Sequence, residues 1–481
     1  MSGATGKEGL FGLALERDLL EEMTAEGASQ AYLDEADWKR LRAKVCGIDL
    51  SDSGVAERTL GACAAEIRRL LLERGHRIER SHLRSADLRT ERSLPSSGTL
   101  PQAYERSVES RMLEQKLGAS VVPAGWSHET LAFSSGMASL TQALATVRYM
   151  LRSERSRPFM AAWSSYFETD ALLRIEYGDD EYVKLETITH ASRELAGRRP
   201  DVLLVEPVRY NWALDVLDFT ALMRLVAEAQ TRPRVLIVDK TLTPTWSTSR
   251  LLTALSSMSE PPLVLEIRSG LKLDQQGLEV ANLGVVEVFS RDRSSVDAAQ
   301  VAELMRLVRA TSGTALDRAA LASLDVPFLL EESWRSRHGG SVLMQNAWMA
   351  DRVAGLEGGI IEEIVHPSLR EASGGHAPFI VMRLGTDDLS DHGFFLAALR
   401  QLLGERAAAI QHGSSFGFRG TRYETIIPRL ADAVGLFKIA VGSRGGPSLG
   451  AFLEVLNQLA SARSFTAMRQ AMPTLKEVVL R

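Results

Sequence analysis

Three segments of the chain could do chemistry together, because each one follows a short apolar run. Leu131–Leu140 passes from an apolar run through a Ser-Ser-Gly-Met turn into an apolar helix pattern. Such a turn aims backbone N–H groups and the positive end of a helix dipole at one point, which favours a phosphate. Asp239 ends the run Val235–Val238, and Lys272 follows the run Leu263–Ile267. Ligands of open α/β sheets bind at the carboxyl ends of strands, so a phosphate site, a carboxylate and an amine are predicted to meet there.

The amine is the most selective of these groups. The chain has nine lysines among its 56 basic residues, so few candidates exist for chemistry that needs one. Lys272 at a strand end beside a phosphate site could act as a nucleophile toward a carbonyl group. Lys240 is a rival, but it adjoins Asp239, and neighbours on an extended segment face opposite sides. A turn aspartate at 239 and a solvated lysine at 272 are the plainer alternatives.

The order of these segments resembles that of the pyridoxal-phosphate (PLP) enzymes of cysteine and methionine metabolism, such as cystathionine γ-synthase and methionine γ-lyase. Members of that family show a Phe-Ser-Ser-Gly-Met-Ala turn, then Tyr-Gly-Gly-Thr, Glu-Thr-Pro-x-Asn-Pro, Asp-Asn-Thr-Phe and Ser-Ala-Thr-Lys. The similar segments here come in the same order, at 133–138, 166–169, 206–211, 239–242 and 269–272. Further similar stretches lie near 345–347, 365–369, 415–425 and 436–442, so the resemblance covers roughly residues 85–465.

The resemblance implies an α/β fold of the aspartate-aminotransferase type (PLP fold type I), with a mostly parallel sheet covered by helices and a smaller α+β domain. It also implies PLP as the cofactor, carried by Lys272, with Asp239 keeping the pyridine nitrogen protonated and Tyr166 stacked on the ring. Asn211 would donate to the phenolic oxygen of the cofactor. The phosphate would be held by Ser135, Gly136, Met137 and Ser269, and Arg92 is the nearest candidate for an arginine that reaches a neighbouring subunit's phosphate.

The chain departs from the family at positions that handle the substrate. Leu271 replaces a phosphate-binding threonine, and the family's acid–base tyrosine has no counterpart near Arg92. Lys438 stands where the family has the arginine that grips the α-carboxylate, and lysine cannot form the same bidentate fork. Arg419 and Arg422 follow Ser415 in a loop, and we expect this Ser415–Arg422 segment to bind an anionic group of the substrate. A solvated basic loop is the alternative.

Periodicity divides the chain into three predicted regions. Residues 1–80 form a helical extension, with apolar residues at three- and four-residue spacing in Leu10–Met23 and Val55–Arg74. Residues 81–330 form a large domain in which strands alternate with helices, and residues 331–481 form a small α+β domain. The strands predicted in the large domain are Leu131–Phe133, Phe159–Trp163, Val202–Val205, Val235–Val238, Leu263–Ile267 and Gly284–Phe289, and a helical stretch is predicted at Ala103–Leu117.

Composition excludes several classes of protein. The chain has 481 residues, 45% of them hydrophobic, and a net charge of −5, so nothing in it favours nucleic acid or an acidic membrane surface. Two cysteines in so long a chain favour a reduced, cytoplasmic setting, and no apolar run has membrane-spanning length. The dinucleotide, P-loop and serine-hydrolase motifs are absent, and the nine histidines lack metal-ligand spacing, so no metal is expected.

The expected activity is therefore PLP-dependent elimination or replacement at the γ- or β-carbon of an amino acid with a sulfur, sulfonium or acyl-oxygen leaving group. The altered substrate machinery favours γ-replacement in specialised metabolism, with a homoserine ester or S-adenosylmethionine as donor and a second, nucleophilic substrate. A homodimer or homotetramer is implied by the resemblance. The alternatives are a housekeeping cystathionine or methionine lyase or synthase, and a non-catalytic protein of the same fold, which has no physical need for Asp239 and Lys272.

Overall fold

The structure is a computed structural model that describes residues 4–30, 33–80, 92–94, 98–100, 108, 110–118, 121–152, 158–292, 296–370, 376–426 and 436–480, with side chains described from residue 12 onward except at 92–94 and 98–100. Its strands are β1 Arg92–Leu94, β2 Gly98–Leu100, β3 Trp126–Phe133, β4 Met160–Trp163, β5 Tyr182–Lys184, β6 Val202–Val205, β7 Val235–Asp239, β8 Leu263–Ser269, β9 Gly284–Arg291, β10 Ile361–Val365, β11 Ile380–Leu384, β12 Gln411–His412, β13 Arg422–Ile426 and β14 Leu436–Ala440. Its α-helices are α1 Ala4–Ser29, α2 Glu35–Cys46, α3 Ser53–Arg80, α4 Arg111–Leu117, α5 Gly136–Leu151, α6 Phe167–Tyr177, α7 Ala191–Glu194, α8 Phe219–Ala227, α9 Thr248–Leu255, α10 Ala298–Ser312, α11 Arg318–Leu324, α12 Glu332–Val353, α13 Leu389–Glu405, α14 Pro447–Ala460 and α15 Phe465–Ala471.

A seven-stranded sheet forms the centre of the larger region, in the order β3-β9-β8-β7-β6-β4-β5. The pairs from β8 to β5 are parallel, and only the two pairs made by β9 are antiparallel. Neighbouring residues of β6 face opposite sides, since Leu204 joins one apolar core and Leu203 joins the other. Helices cover both faces, which explains why these strands read as continuous apolar runs. The predicted mostly parallel α/β fold is confirmed.

The direction of the strands gathers several chain segments at one edge of this sheet. β3 and β8 are both antiparallel to β9 and therefore run the same way. The carboxyl ends of β3, β4, β6, β7 and β8 thus lie at the same edge. The Ser-Ser-Gly turn, Asp239 and Ser269 come at or just after three of these ends.

A second sheet of five strands, in the order β10-β11-β14-β13-β12, forms the smaller region. Helices α12, α13 and α14 cover one face of it with a large apolar core. A small apolar cluster on the other side joins it to the carboxyl-end edge of the large sheet, and includes Val208, Leu242, Phe379, Phe416 and Ala440. A cleft lies between the two sheets at this junction.

Helices α1 and α3 include the predicted helical segments Leu10–Met23 and Val55–Arg74, and the N-terminal helices share their core with later parts of the chain. Trp38 of α2 lies 5.6 Å from the ring of Phe328, and both belong to one core with residues of α3 and α11. The division of the chain into 1–80, 81–330 and 331–481 remains a prediction. Within the described residues, no helix is both long and apolar enough to cross a membrane.

Several elements have no counterpart among the predicted ones, including α2, β5, β12 and β13. The predicted helix at Ala103–Leu117 corresponds to the shorter α4, and residues 101–107 lie outside the described part of the chain. The two missed strands of the small sheet have few apolar residues: β12 is Gln-His and β13 is Arg-Tyr-Glu-Thr-Ile. Their polar side chains conceal the pattern on which strand prediction depends.

Candidate active site

The cleft between the two sheets has a volume of about 620 Å³, the size of a small-molecule site. It brings together most of the residues that the sequence singles out. Those that line it are Ser135, Gly136, Met137, Tyr166, Asp239, Ser269, Lys272, Ser415 and Lys438.

The floor of the cleft is the N-terminus of α5. Ser135 is the N-cap residue, and its Oγ accepts a hydrogen bond from the N–H of Ala138 at 3.0 Å. A Cβ atom on Gly136 would lie 3.0 Å from Cβ of Ser269, and one on Gly284 would lie 1.9 Å from the Ser135 carbonyl oxygen. Only glycine therefore allows this turn to meet the end of β8 so closely. The free N–H groups and the dipole of a 16-residue helix make it a place for an anion.

A threonine that the sequence analysis did not single out completes this floor. Thr241 lines the cleft, and its Oγ1 accepts a hydrogen bond from the N–H of Ser269 at 3.0 Å. The same hydroxyl also hydrogen-bonds to the carboxylate of Asp239, so Thr241 joins the end of β8 to Asp239 at the base of the cleft. The signal was present in the sequence, because residues two apart on an extended segment face the same side, and Thr241 is two residues after Asp239.

Asp239 lies at the end of β7 with its carboxylate in the cleft. Burial raises its pKa, while the N–H and hydroxyl of Thr241 lower it in part, with the N–H at 3.0 Å from Oδ1. A buried carboxylate with so little compensation is stabilised by a cationic partner. A protonated ring nitrogen is a partner of that kind.

Glu206 organises the loops on either side of the cleft. Its buried carboxylate accepts hydrogen bonds from the N–H groups of Tyr166 at 3.2 Å and Tyr210 at 2.9 Å, and from the hydroxyl of Ser164. Its pKa is raised by burial and next by the charge of Asp239. The two tyrosine rings meet edge to face, with centroids 5.4 Å apart and planes at 80°. The hydroxyl of Tyr166 donates to Glu168 at 2.9 Å, which leaves its ring as a wall of the cleft.

Lys272 enters the cleft from the turn after β8. Its Nζ donates a hydrogen bond to Oγ of Ser415 and lies 5.3 Å from the centre of the Phe416 ring. Ser415 has φ +77°, a left-handed conformation that costs energy for a serine. The hydroxyl that contacts the amine is therefore held in a strained loop.

The surroundings of Lys272 favour the neutral amine. Burial lowers its pKa first, the charge of Lys438 lowers it next, and Arg422 acts in the same direction. Glu279 and Glu168 act in the opposite direction but do not outweigh these effects. A lysine with a lowered pKa has more of the unprotonated form that acts as a nucleophile.

Lys240 is directed away from the cleft into a buried ion-pair cluster. Its Nζ lies 2.5 Å from Glu266 and 2.8 Å from Glu287. Burial alone would lower its pKa, but the two carboxylates outweigh burial and raise it. The strand alternation that separates Lys240 from Asp239 is present in the structure, so Lys240 has a structural environment and Lys272 a reactive one.

Lys438 reaches the cleft from the small sheet with its charge already engaged. It forms an ion pair with Glu424 on the neighbouring strand, and its Nζ lies 3.3 Å from the hydroxyl of Tyr210. Its side chain is only 2% exposed. An incoming carboxylate would have to share this ammonium group with Glu424.

The structure does not bring Asn211, Arg419 or Arg422 to the lining of the cleft. Nδ2 of Asn211 donates to the carboxylate of Asp215 at 2.8 Å, and Oδ1 of Asn211 accepts from the N–H of Asp215 at 3.3 Å. The preceding residue, Tyr210, lines the cleft instead. Tyr210 is four residues after Glu206, the same spacing as Glu and Asn in the family motif. That spacing was the signal for the residue that occupies this position.

The two arginines are directed elsewhere because carboxylates hold them. Arg422 lies 2.5 Å from Glu279, and Arg419 is buried beside Glu16 of α1. Arg92 is the first residue of β1, and its side chain is outside the described part of the structure. In the described part of the chain, no group of three or more His, Cys, Asp or Glu residues is placed to hold a metal ion.

Comparison with known proteins identifies relatives of the fold. No protein-family model matches the sequence, and no curated protein matches it. Apo CalE6, a methionine gamma lyase from Micromonospora echinospora, is similar in structure, with a TM-score of 0.50 and 16% identity over 78% of this chain and 92% of that chain. Cystathionine gamma-lyase from yeast gives a TM-score of 0.53 and 15% identity over 82% and 98%. The chain has the fold of these γ-lyases. This likeness confirms the predicted fold class, and the activity is argued below from the cleft.

Proposed function

We propose that this protein is a PLP-dependent enzyme, a divergent member of the cysteine and methionine metabolism family that catalyses elimination or replacement at the γ- or β-carbon of an amino acid. The observation that carries this proposal is the meeting of three groups in one cleft. These are the amine of Lys272, the buried carboxylate of Asp239 and the N-terminus of α5. Each one meets a separate need of the cofactor, and together they match its amine, ring-nitrogen and phosphate contacts.

The cleft fits PLP group by group. The amides of Gly136 and Met137, with the hydroxyls of Ser135 and Ser269, would hold the phosphate. Asp239, whose burial favours a cationic partner, would keep the pyridine nitrogen protonated. The ring of Tyr166 would stack on the cofactor, and Tyr210 offers a hydroxyl on the same side. When bound, PLP draws electrons from the α-carbon of an amino acid, which labilises bonds at its α-, β- and γ-carbons.

The chain itself supplies positioning and proton transfer. The lowered pKa of Lys272 lets its amine carry the cofactor and afterwards accept or return protons at the substrate carbons. Ser415 fixes the direction of that amine through its hydrogen bond. The ring of Phe416 lines the cleft beside this amine, and Phe379 packs behind it in the same apolar cluster. Elimination needs a base that can take and return protons at neighbouring carbon atoms of the substrate, and the amine of Lys272 is placed for this role.

The charges of the cleft support a cationic leaving group. The carboxylates of Glu168 and Glu424 line the cleft. The ammonium group of Lys438, which also lines it, is already paired with Glu424. We therefore propose γ-replacement in specialised metabolism, with S-adenosylmethionine or a homoserine ester as donor and a carbon nucleophile as second substrate. Incubation with each donor in deuterated water tests this. We expect exchange at the α- and β-carbons with a sulfonium or homoserine ester, and no exchange with either would refute γ-chemistry.

A housekeeping lyase is the alternative that the same assay separates. Cystathionine or methionine would then give a free thiol and a keto acid without a second substrate. We expect neither to be turned over efficiently, because the carboxylates of Glu168 and Glu424 favour a cationic leaving group, whereas the thioether sulfur of both amino acids is neutral. Rapid thiol release from either one would overturn the specialised assignment and leave the cofactor assignment intact.

The phosphate floor also bears on assembly. Among the described residues that line the cleft there is no arginine, although PLP carries a doubly charged phosphate. We propose a homodimer or homotetramer in the cytoplasm, in which another subunit completes this charge. Light scattering coupled to size exclusion tests the assembly, and a monomer that still binds PLP tightly would refute it.

The cofactor assignment is tested directly by absorbance and borohydride. Protein incubated with PLP is expected to show a violet-region band that borohydride bleaches, and peptide mapping should locate the pyridoxyl group on Lys272. Lys272→Ala should lose the label, and Lys184→Ala, which removes a lysine outside the cleft, should keep it. A label on Lys240 would contradict the site geometry, and a protein that stays colourless with PLP would support a non-catalytic role.

A further inference from the structure

A buried carboxylate of the N-terminal helices reaches toward the cleft. Glu16 of α1 is 2% exposed and faces two arginines of the C-terminal region. Its Oε2 accepts from Nε of Arg444 at 2.9 Å and its Oε1 from Nη2 at 3.1 Å, which is a bidentate pair. Nη1 of Arg419 lies 3.7 Å from the same Oε1. One carboxylate thus faces two guanidinium groups, the buried one of Arg419 and the largely buried one of Arg444, and Glu57 also interacts with Arg444.

Arg419 belongs to the segment that forms one wall of the cleft, residues 413–420, which we call the site loop. The backbone of the site loop is joined to the segment around Arg444. The carbonyl of Arg419 accepts from the N–H of Arg444 at 3.0 Å, and the carbonyl of Phe418 accepts from the N–H of Ser443 at 3.1 Å. These two hydrogen bonds join the backbone of the site loop directly to residues 443 and 444.

Arg444 is in turn enclosed by the N-terminal helices. A Cβ atom on Gly12 of α1 would lie 2.4 Å from the carbonyl oxygen of Arg444, and one on Gly61 of α3 would lie 2.8 Å from its Nη1. Two glycines thus give the helices room to approach this arginine on either side. The contact between Glu16 and the site loop is a close-packed part of the structure.

At its other end the site loop carries Ser415, whose Oγ accepts a hydrogen bond from Nζ of Lys272. The strained φ of Ser415 requires that the loop be held from elsewhere. We propose that Glu16 is a positioning residue of the active site, which holds the site loop through Arg419 and Arg444 so that Ser415 meets Lys272. The N-terminal helices would then complete the site from a distance. This inference uses the proposed function only for the role of Lys272.

The physical reason is the charge that would remain without Glu16. Arg419 is 3% exposed, and the charge of Arg444 opposes its own. Without the Glu16 carboxylate, Arg444 would keep only the interaction with Glu57, and the buried guanidinium group of Arg419 would lose its ion pair while still facing the charge of Arg444, which is strongly destabilising. Arg419 can reach water only if the site loop moves, so Ser415 would leave Lys272.

The test compares Glu16→Gln with a control on the same helix. Glu22→Gln removes a carboxylate that pairs with Arg337 at 2.6 Å and is 47% exposed. Hydrogen exchange of the site loop and the pH midpoint of Lys272 acetylation are measured by mass spectrometry on protein without added PLP. In Glu16→Gln we expect at least about tenfold faster exchange and a higher midpoint, since burial is the main cause of the lowered pKa of Lys272. Glu22→Gln should match the wild type in both measurements.

A second variant covers the case in which Glu16→Gln does not fold. Glu16→Gln combined with Arg419→Met leaves no unpaired charge at 419 and no ion pair to hold the loop, so it should fold with a smaller increase in site-loop exchange and a smaller rise of the Lys272 midpoint than Glu16→Gln alone. Folded variants with wild-type exchange and a wild-type Lys272 midpoint would overturn the positioning role. Neither readout needs the cofactor, so a protein that never binds PLP would refute the proposed function and still test this inference.

Discussion

The two lysines at the ends of neighbouring strands are expected to respond in opposite ways to the same substitution. Lys240→Met would leave Glu266, which is 0% exposed, with the hydroxyl of Thr248 at 2.6 Å as its remaining partner. Glu287 would keep Arg268 at 2.5 Å. Breaking a buried ion pair on one side costs about 3–5 kcal/mol. We expect Lys240→Met to lose that much of its free energy of unfolding.

Lys272→Met should leave stability within about 1 kcal/mol of the wild type or raise it, because a buried ammonium is replaced by an apolar chain of similar size. The amine of Lys272 contacts a hydroxyl, that of Ser415, and the charge of Lys438 opposes its own. Catalytic groups are commonly held at a cost to stability. The reactive lysine is therefore expected to be dispensable for folding, and the structural one indispensable.

The assay is equilibrium urea unfolding of the protein without PLP, followed by far-UV circular dichroism. Lys184→Met is the matched control: Lys184 is 31% exposed and 3.9 Å from Asp170, so its loss should cost no more than about 1 kcal/mol. Equal losses for Lys240→Met and Lys272→Met would refute the reasoning. A Lys240→Met variant within 1 kcal/mol of the control would do so too.

The pH dependence of folding stability tests the same prediction in a second way. The folded pKa of Lys272 lies below its unfolded value of about 10.4, so the unfolded chain binds more protons in the interval between them. Stability of the wild type therefore rises with pH across that interval, and the rise should be absent from Lys272→Met. Lys240 has a raised pKa, so its contribution is present below the unfolded value and is lost only at higher pH.

Substitutions at four further positions separate folding from function. Asp239→Asn should lower turnover by about 10²–10⁴-fold, yet stabilise the PLP-free protein at neutral pH. Because the folded pKa of Asp239 is raised, the stability of the wild type falls as the pH rises above the unfolded pKa. Urea unfolding at acidic and neutral pH should show that this fall is absent from the variant. Ser135→Ala should cost about 1 kcal/mol of stability, because it removes the hydrogen bond that caps the N–H of Ala138, and it should weaken PLP binding. Ser135→Asn should restore the stability but not the affinity for PLP. Thermal unfolding and PLP titration check this, and equal PLP affinity in the wild type and both variants would contradict it. Glu424→Gln should free the ammonium group of Lys438 and lower KM for amino-acid donors by about tenfold. Lys438→Met should raise KM by at least as much. An unchanged KM in both variants would show that Lys438 does not bind the substrate carboxylate.

The sequence predicted the parts of the site that follow buried strands. Val235–Asp239 is an apolar run with a polar residue at its end, and Leu263–Ser269 begins with three apolar residues and ends at a serine, so both strands could be predicted from their apolar residues. The cap at Ser135 could be predicted for the same reason. These positions depend on local pattern and on the rule that carboxyl ends of parallel strands share an edge.

The parts that could not be predicted depend on partners far away in the chain. Arg419 and Arg422 read as a basic loop, but Glu16 and Glu279 hold them, and a sequence does not state which carboxylate a buried arginine meets. Tyr210 and Asn211 are neighbours, and the turn that closes on Asp215 decides which one faces the cleft. Local sequence patterns therefore predict where strands end. The side of the cleft formed by the small sheet depends on ion pairs between residues far apart in the chain, which such patterns do not reveal.

The close approach of the turn at Ser135 to the ends of β8 and β9 bears on how such a site can evolve. Gly136 and Gly284 leave no space for a side chain, so mutation at the phosphate floor is constrained by the backbone itself. The opposite wall consists of long side chains such as Glu424 and Lys438 on a small sheet. Exchanges there alter charge and reach without altering the chain path. New substrates should therefore arise through changes in the small sheet, while the floor is inherited unchanged, and a library confined to that wall would sample specificity at little cost in folding yield.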